Sequence, residues 1–156
     1  MSRRETTTSG EQMETLSADE IWRLLARRRV GRLVVCADGL PDVFPVNYAV
    51  DGDTIVIKTA PGLKLAAAVL GEGVAFEVDS FDETRHTGWS VVLRGPAREI
   101  EDRDELLAAD RLHIDPWSPG PKNRYLRIEP DVATGRRIGE ATPVLHLAWP
   151  LGRDPD

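Results

Sequence analysis

The chain has one cysteine and no long apolar run, and both shortages exclude classes of protein. Cys36 alone cannot form an internal disulfide, which excludes a disulfide-stapled secreted fold. We interpret it as a small apolar strand residue, with a reactive thiol as the alternative. No segment approaches the roughly 20 apolar residues of a membrane-spanning helix, and the polar residues 1–10 contain no signal-peptide core. We therefore expect a cytoplasmic protein that does not engage a membrane.

A basic surface and clustered histidines are also missing. The formal net charge is −6 at pH 7, whereas nucleic-acid-binding domains usually present a basic face. The one basic run, Arg27–Arg29, follows a predicted helix, where positive charge complements the helix dipole. His86, His113 and His146 lack the spacing of metal ligands. We expect no nucleic-acid partner and no metal, and no side-chain constellation identifies a catalytic residue.

The hydrophobic pattern predicts a mainly β domain with short helices. Strands are predicted over residues 32–37, 43–50, 54–59, 73–79, 89–100 and 125–129, with a bend at Gly95–Pro96 in the fifth. Helices are predicted over residues 17–29, 63–70 and 102–112, and the first and third begin with capping patterns, Ser17 with Glu20 and Asp102 with Glu105. Short turns join the first three strands, which indicates an antiparallel meander. Six antiparallel strands with one apolar face avoid exposed edges by closing, so we expect a six-stranded antiparallel barrel with short flanking helices.

The ends of the chain differ from this domain in composition. Residues 1–15 are rich in Thr, Glu, Ser and Arg and are predicted to be a disordered tail. The folded domain is predicted to span residues 16–138, followed by a C-terminal tail over residues 139–156. The polar segment 80–88 is predicted to be a loop between two strands.

Lysine is scarce, and two of the three lysines flank one turn. The remaining seventeen basic residues are arginine. Lys58 and Thr59 end a predicted strand, and Lys64 lies in the first turn of the next predicted helix. Because the helix dipole disfavours basic side chains at that end, Lys64 suggests a bound anion there, such as a phosphate on the free backbone N–H groups. Two solvated lysines around a turn are the alternative.

Seven segments, in order, resemble the pyridoxamine 5′-phosphate oxidase-like, FMN-binding split-barrel superfamily, particularly its short actinobacterial-type members. These segments are Leu16–Glu20, Val30–Leu33, Pro45–Tyr48, Lys58–Lys64, Val74–Asp79, Gly88–Gly95 and Tyr125–Ile128. They cover about residues 16–138. The resemblance implies a split β-barrel and a homodimer with two cofactor sites in the subunit interface.

The resemblance also implies roles for particular residues. The cofactor phosphate would be held by Lys58, Thr59 and Lys64. The isoalloxazine ring would be lined, partly through backbone groups, by Pro45, Val46, Asn47 and Tyr48. Contacts across the interface would come from Trp89 and Ser90, and Trp117 of the partner chain would shelter the ring. The polar loop before Trp89 would border the same pocket.

The implied activity is hydride or electron transfer between FMN and a small planar substrate. A deazaflavin is the alternative cofactor, and a flavin carrier without turnover is the alternative function. Haem with a histidine ligand is a third hypothesis, but no histidine is suitably placed. The arginine-rich C-terminal segment that grips substrate phosphate in true pyridoxamine phosphate oxidases has no match in residues 138–150. We therefore do not expect vitamin B6 oxidation.

Overall fold

The computed structural model describes residues 12–139, which form nine strands and three helices. The strands are β1 (Gln12–Thr15), β2 (Val30–Ala37), β3 (Leu40–Asp51), β4 (Thr54–Thr59), β5 (Val74–Asp82), β6 (Thr87–Gly95), β7 (Ala97–Glu99), β8 (Arg124–Ile128) and β9 (Val132–Gly139). The helices are α1 (Ala18–Ala26), α2 (Leu63–Leu70) and α3 (Arg103–Asp110). None of these helices is long and apolar enough to cross a bilayer.

Side-chain caps fix the starts of two helices. The Ser17 hydroxyl accepts a hydrogen bond from the backbone N–H of Glu20 at 3.3 Å, and the Asp102 carboxylate accepts one from Glu105 at 3.1 Å. Each cap satisfies a backbone donor that the helix itself leaves unpaired. Both helices begin where the capping pattern in the sequence places them.

All strand pairs are antiparallel, and β3 joins two halves of one bent sheet. The strand order is β1-β9-β6-β5-β2-β3-β4-β8-β7. The first part of β3, Leu40–Asn47, pairs with β2, whereas the second part, Tyr48–Asp51, pairs with β4. The two halves enclose one core, in which α1 and α2 also bury apolar residues.

The main core is built mostly from alternate residues of the strands, together with Leu25 of α1, whereas Val56 points into a second cluster with Ala109 of α3. The largest fully buried side chains are Phe76, Leu25, Leu33, Ile55, Ile57, Leu93, Leu126, Ile128, Val56, Val78 and Val91. Phe76 meets the ring of Tyr48 edge-on, with 5.0 Å between ring centroids. Gly31 lies against the same ring, since a Cβ there would approach Phe76 Cζ to 2.3 Å. A side chain at position 31 would therefore displace the phenyl ring.

The prediction of a mainly β domain is confirmed, but the strand count of six was too low. β1 and β9 were missed, so residues 12–15 pair with β9 where a disordered tail was predicted. Much of β9 is exposed, and it depends on backbone pairing with β6 and β1 rather than on an apolar pattern. The predicted strand 89–100 is two strands, which separate at Pro96. Residues 1–11 and 140–156 lie outside the described part of the chain.

The predicted polar loop over residues 80–88 is wrong, because most of it is a β-hairpin. β5 continues to Asp82 and β6 begins at Thr87, with Asp82 paired to Thr87. Both backbone N–H groups of Thr84 and Arg85 donate to the Asp82 carboxylate at 3.0 Å. The Asp82 side chain therefore stabilises a tight turn here. The residues on either side form strands through backbone pairing, although their polar composition is typical of a loop.

Candidate functional site

The strands β3 and β4 separate at a fork, and four of the predicted site residues flank it. Pairing runs from Asp51 and Thr54 to Tyr48 and Ile57, and then stops. Continued for two residues, the same register would place Lys58 opposite Asn47 and Thr59 opposite Val46. Instead β4 continues against β8 alone. We define the fork by Val46, Asn47, Lys58 and Thr59.

On the β3 side of the fork, one edge of the strand has no neighbouring strand among the described residues. Leu40–Asn47 pairs with β2 on one side, and no strand of the described residues pairs with its other side. Alternate backbone N–H and C=O groups of this segment consequently face away from β2. A cavity of about 500 Å³ lies next to this edge, between Phe44 on β3 and Ala66 and Ala67 on α2. This edge can therefore form hydrogen bonds with a planar ligand that carries hydrogen-bond donors and acceptors along one side.

Side chains alternate along the predicted ring-binding segment. Val46 and Tyr48 are 6% and 3% exposed and belong to the core. The Tyr48 hydroxyl donates to the backbone oxygen of Leu25 at 2.6 Å, and burial raises the pKa of that hydroxyl far above its ordinary value. Pro45 and Asn47 project outward. Val46 and Tyr48 can therefore contact a ligand through their backbone groups only.

The β4 side of the fork leads into the start of α2. Lys58 is partly exposed, with Nζ 5.5 Å from the Tyr125 ring centroid, and Thr59 is 2% exposed. The Thr59 hydroxyl makes only a 3.3 Å hydrogen bond to the backbone oxygen of Ala60. The N-cap residue of α2, Gly62, provides no side-chain cap, and the first turn has no acidic residue. These features fit a phosphate at this turn. The side chain of Lys64 lies outside the described residues.

Trp89 and Ser90 project to opposite faces of β6. Trp89 packs against the core, on the same side of the strand as Val91. Ser90 faces outward, paired with Asp79 on β5 and Arg136 on β9. Two strands separate β6 from β3, a distance of roughly 14 Å at the usual strand spacing. The sheet order therefore separates these two residues from the fork of their own protomer. The Trp89 ring nevertheless lies 5.9 Å from Arg28, which lines a cavity together with Asn47.

Another cavity beside the fork has a volume of about 520 Å³. It lies between the end of α1, the middle of β3 and the segment after α3. It is lined by Ala26, Arg28, Arg29, Asn47, Tyr48, Ala49, Val50, Leu112, His113, Ile114 and Asp115. The Asn47 side chain accepts a hydrogen bond from the backbone N–H of Trp117 at 2.9 Å. This bond ties the segment after α3 to the fork, and it leaves the Trp117 side chain 69% exposed.

Apart from Asn47 and Tyr48, the residues that line this cavity were not identified by sequence patterns. Arg28 and Arg29 were interpreted as charges complementing a helix end, and residues 112–115 carry no motif. Arg28 donates to the Ser80 hydroxyl at 2.5 Å and its guanidinium carbon lies 5.9 Å from the Trp89 ring centroid. Only the chain's path after α3 brings His113 to β3, and no local signal in the sequence reports that path.

A carboxylate pair lies on the outer face of the sheet, on β5 next to β2. Glu77 and Asp79 on β5 share Arg32 of β2, whose Nη1 lies 3.3 and 3.1 Å from the two carboxylates. Within the described part of the chain, the buried Oε1 of Glu77 has no hydrogen-bond partner. Burial and the neighbouring Asp79 raise the pKa of Glu77 to about 7, against a usual value of 4.5.

This raised pKa predicts a pH dependence of stability that Glu77→Gln removes. The folded state binds the Glu77 proton more tightly than the unfolded state does. The stabilisation of the folded state by this bound proton is therefore complete below about pH 4.5, and it is lost as the pH rises to about 7. The unfolding free energy of Glu77→Gln, relative to the parent, should rise over that window and level off above it. Urea unfolding from pH 4.5 to 8 measures this difference, and a constant difference would contradict the assignment.

Comparisons with known proteins agree with this geometry. The family model described as pyridoxamine 5′-phosphate oxidase matches residues 17–137. The uncharacterized protein Rv0080 of Mycobacterium tuberculosis is 37% identical over 142 residues, covering 88% of this chain and 93% of the relative.

Solved structures of similar proteins share both the fold and part of the sequence. An FAD binding protein from Mycobacterium smegmatis is 38% identical, with a TM-score of 0.72, over 81% of this chain and 98% of that one. An FAD-binding protein from Mesorhizobium loti is 30% identical, with a TM-score of 0.71, over 81% and 99% of the two chains. The chain described here belongs to the pyridoxamine 5′-phosphate oxidase family and has its split-barrel fold.

Proposed function

We propose that the chain binds a flavin nucleotide at the fork and acts as an oxidoreductase on a small planar substrate. The observation that carries this proposal is the fork itself, where β4 no longer pairs with β3 at Val46 and Asn47 and an uncapped helix start follows β4. A flavin has a planar ring with donors and acceptors along one edge and a phosphate at the end of a short chain. Both parts of the ligand match what the fork offers.

The residues of the fork have separate tasks in this proposal. Pro45 and Asn47 flank the ring with their side chains, while Val46 and Tyr48 contribute backbone groups. Lys58 and the Thr59 hydroxyl hold the phosphate, together with the N–H groups at the start of α2. The flavin itself supplies the redox chemistry when it is bound. The chain orients the ring and shields one of its faces.

We take FAD as the first candidate for the cofactor, because two relatives at 38% and 30% identity are described as FAD-binding. FMN, which the sequence analysis favoured, has the same ring and first phosphate, so the fork serves both. A deazaflavin remains the third candidate. Haem gains no support, because His86 and His113 lie in exposed segments and His146 lies outside the described residues.

The distance between β6 and the fork supports a homodimer with shared sites. Trp89 lies two strands away from β3 in its own protomer, whereas the resemblance attaches it to the cofactor. A second copy would bring its β6 to this fork, and symmetry would then create two equivalent sites. Each site would combine the fork of one protomer with Trp89 of the other. Trp117, which the resemblance assigns to the partner chain, has its backbone N–H bonded to Asn47 of its own protomer.

Mixing two defective variants tests this arrangement. Lys58→Ala and Trp89→Ala should each weaken flavin binding as homodimers. After denaturation and refolding together in equal amounts, half of the dimers contain one copy of each variant. One of the two sites in such a dimer carries neither substitution, so about a quarter of all sites should regain full affinity.

Flavin titration by fluorescence quenching counts these restored sites, and light scattering confirms the dimer. Separately refolded variants, mixed afterwards, are the control. Absence of restored sites would mean that one protomer supplies both residues, and a monomer would contradict the shared site altogether.

A further inference from the structure

We infer that an apolar row of side chains on the outer face of the sheet is the docking surface for the chain's own C-terminal segment, residues 143–151. The outer row consists of Phe81 on β5, Ile138 on β9 and Met13 on β1. The family model matches residues 17–137, so Met13, Ile138 and the segment all lie beyond the matched part. Residues 143–151 lie outside the described part of the chain. The inference does not depend on the proposed flavin function.

Strand pairing places the members of the outer row side by side across four strands. Phe81 pairs with Gly88, Gly88 with Ile138, and Ile138 with Met13. Directly paired residues project to the same face of an antiparallel sheet. Val78 on β5 is 1% exposed and faces the core, so Phe81, three residues further along, projects to the opposite face. The outer row therefore lies on the face turned away from the core.

The outer row is open to solvent within residues 12–139. Met13 and Phe81 are 62% and 53% exposed, and Ile138 is half-buried. The Phe81 ring lies over Gly88, since a Cβ there would come within 2.3 Å of Phe81 Cδ1. A cavity of about 440 Å³ lies between Phe81, Ile138 and the hairpin turn at His86. Exposed apolar side chains grouped beside a cavity are typical of a surface that binds another apolar group.

The chain leaves the sheet beside this cavity. The register that pairs Gly88 with Ile138 brings Thr87 opposite Gly139 and His86 opposite the next position. His86 belongs to the hairpin turn, so β6 provides no strand residue for pairing beyond Gly139. The residues that follow Gly139 consequently start next to the cavity and next to Ile138.

The C-terminal segment has the composition and the reach to cover the outer row. Residues 143–151 read Pro-Val-Leu-His-Leu-Ala-Trp-Pro-Leu, a predominantly apolar stretch with one large ring, Trp149. Phe81 lies two strands from Ile138, a distance of roughly 10 Å at the usual strand spacing. The five residues from Gly139 to Val144 span up to about 17 Å when extended. The apolar part of the segment can therefore reach every member of the row.

Tethering favours this segment over a second copy of the chain. Only residues 140–142 separate it from the end of β9, and a short connection of this kind gives an effective concentration on the order of millimolar. A second copy would also lose translational and rotational freedom on binding. Pro143 and Pro150 restrict the backbone of the segment before it docks, which lowers the conformational entropy that docking removes.

The first test observes Trp149 directly, by fluorine NMR of the full-length protein labelled with 5-fluorotryptophan. The Trp149 resonance is identified by its loss in Trp149→Phe. We expect it to be severalfold less sensitive to a dissolved paramagnetic agent than free 5-fluorotryptophan is. Phe81→Ser should remove this protection. Val132→Ser, an exposed position at the other end of β9 on the same face, is the matched control and should leave it unchanged. The resonances of Trp22 and Trp89, which pack against the core, report that each variant is folded.

Three results of this test would overturn the proposal. The Trp149 resonance of the parent could be as sensitive to the agent as free 5-fluorotryptophan, or its protection could survive Phe81→Ser. Protection that is lost on dilution would assign the outer row to contact between copies of the chain.

The second test measures whether the segment covers the outer row. Leu147→Ser combined with Trp149→Ser, in the full-length chain, should increase the fluorescence of the hydrophobic dye bis-ANS severalfold, because the row becomes accessible. Adding Phe81→Ser to this variant should remove most of the increase, since the dye then loses the ring it binds. Equal dye fluorescence in the parent and the Leu147→Ser, Trp149→Ser variant would contradict docking of the segment on this row.

Discussion

Replacing Phe76 by alanine is expected to lower the free energy of unfolding by about 3–5 kcal/mol. Phe76 is 0% exposed and lies at the centre of the core, where its ring meets Tyr48 edge-on. Removing the ring forfeits its transfer free energy and leaves a cavity that β5 and α1 cannot fill without moving. Urea unfolding followed by circular dichroism measures the change.

Phe81→Ala is the matched control on the same strand. Phe81 is 53% exposed, so its replacement should cost less than about 1 kcal/mol. Gly31→Ala tests the packing from the other side, since the new Cβ would reach 2.3 Å from Phe76 Cζ. Gly31→Ala should lower the free energy of unfolding more in the parent than in the Phe76→Ala variant. In that variant the phenyl ring is gone, so the new methyl group has space. Equal costs in both backgrounds would mean that Gly31 and Phe76 do not pack together.

The second large effect is expected at the phosphate end of the fork. Lys58→Ala combined with Lys64→Ala should weaken flavin nucleotide binding by about 3 kcal/mol, because two charge-assisted hydrogen bonds are lost. That loss corresponds to an affinity roughly a hundredfold lower. Titration calorimetry with FAD and with FMN measures it, and thermal unfolding without ligand should remain close to the parent.

Lys122→Ala is the control for the general loss of positive charge. Lys122 is the third lysine of the chain and lies between α3 and β8, in a segment that provides none of the four fork residues. Its replacement should leave the affinity nearly unchanged. If the double variant bound flavin with the affinity of the parent, the phosphate would lie elsewhere. If Lys122→Ala lost as much affinity as the double variant, long-range electrostatics alone would explain the loss.

The sequence predicted the parts of the fold that have strong local signals. The capping patterns at Ser17 and Asp102 located two helix starts, because each cap is a contact between residues three apart. The span of α2 agrees with its prediction, residues 63–70. The break near Pro96 was also anticipated as a bend, since proline cannot donate to a strand ladder.

The rest of the fold and site depends on contacts between distant residues. β1 pairs with β9 more than 120 residues away, and neither strand has a clear apolar alternation. The opposite orientations of Trp89 and Ser90 follow from strand alternation, but their distance from β3 depends on the strand order. The cavity near Arg29 and His113 exists only because the segment after α3 returns to β3.

The visible spectrum of the protein, reconstituted with each cofactor and freed of excess ligand, tests the central claim most directly. Binding at the fork predicts that FAD or FMN stays with the protein, about one per protomer, and that Lys58→Ala with Lys64→Ala retains much less. Quinone or nitroaromatic acceptors should then reoxidise the reduced complex faster than they reoxidise free flavin. Retention without such acceleration would indicate a carrier, and retention of a deazaflavin alone would replace the cofactor. Loss of every cofactor on gel filtration would contradict a flavin site at the fork.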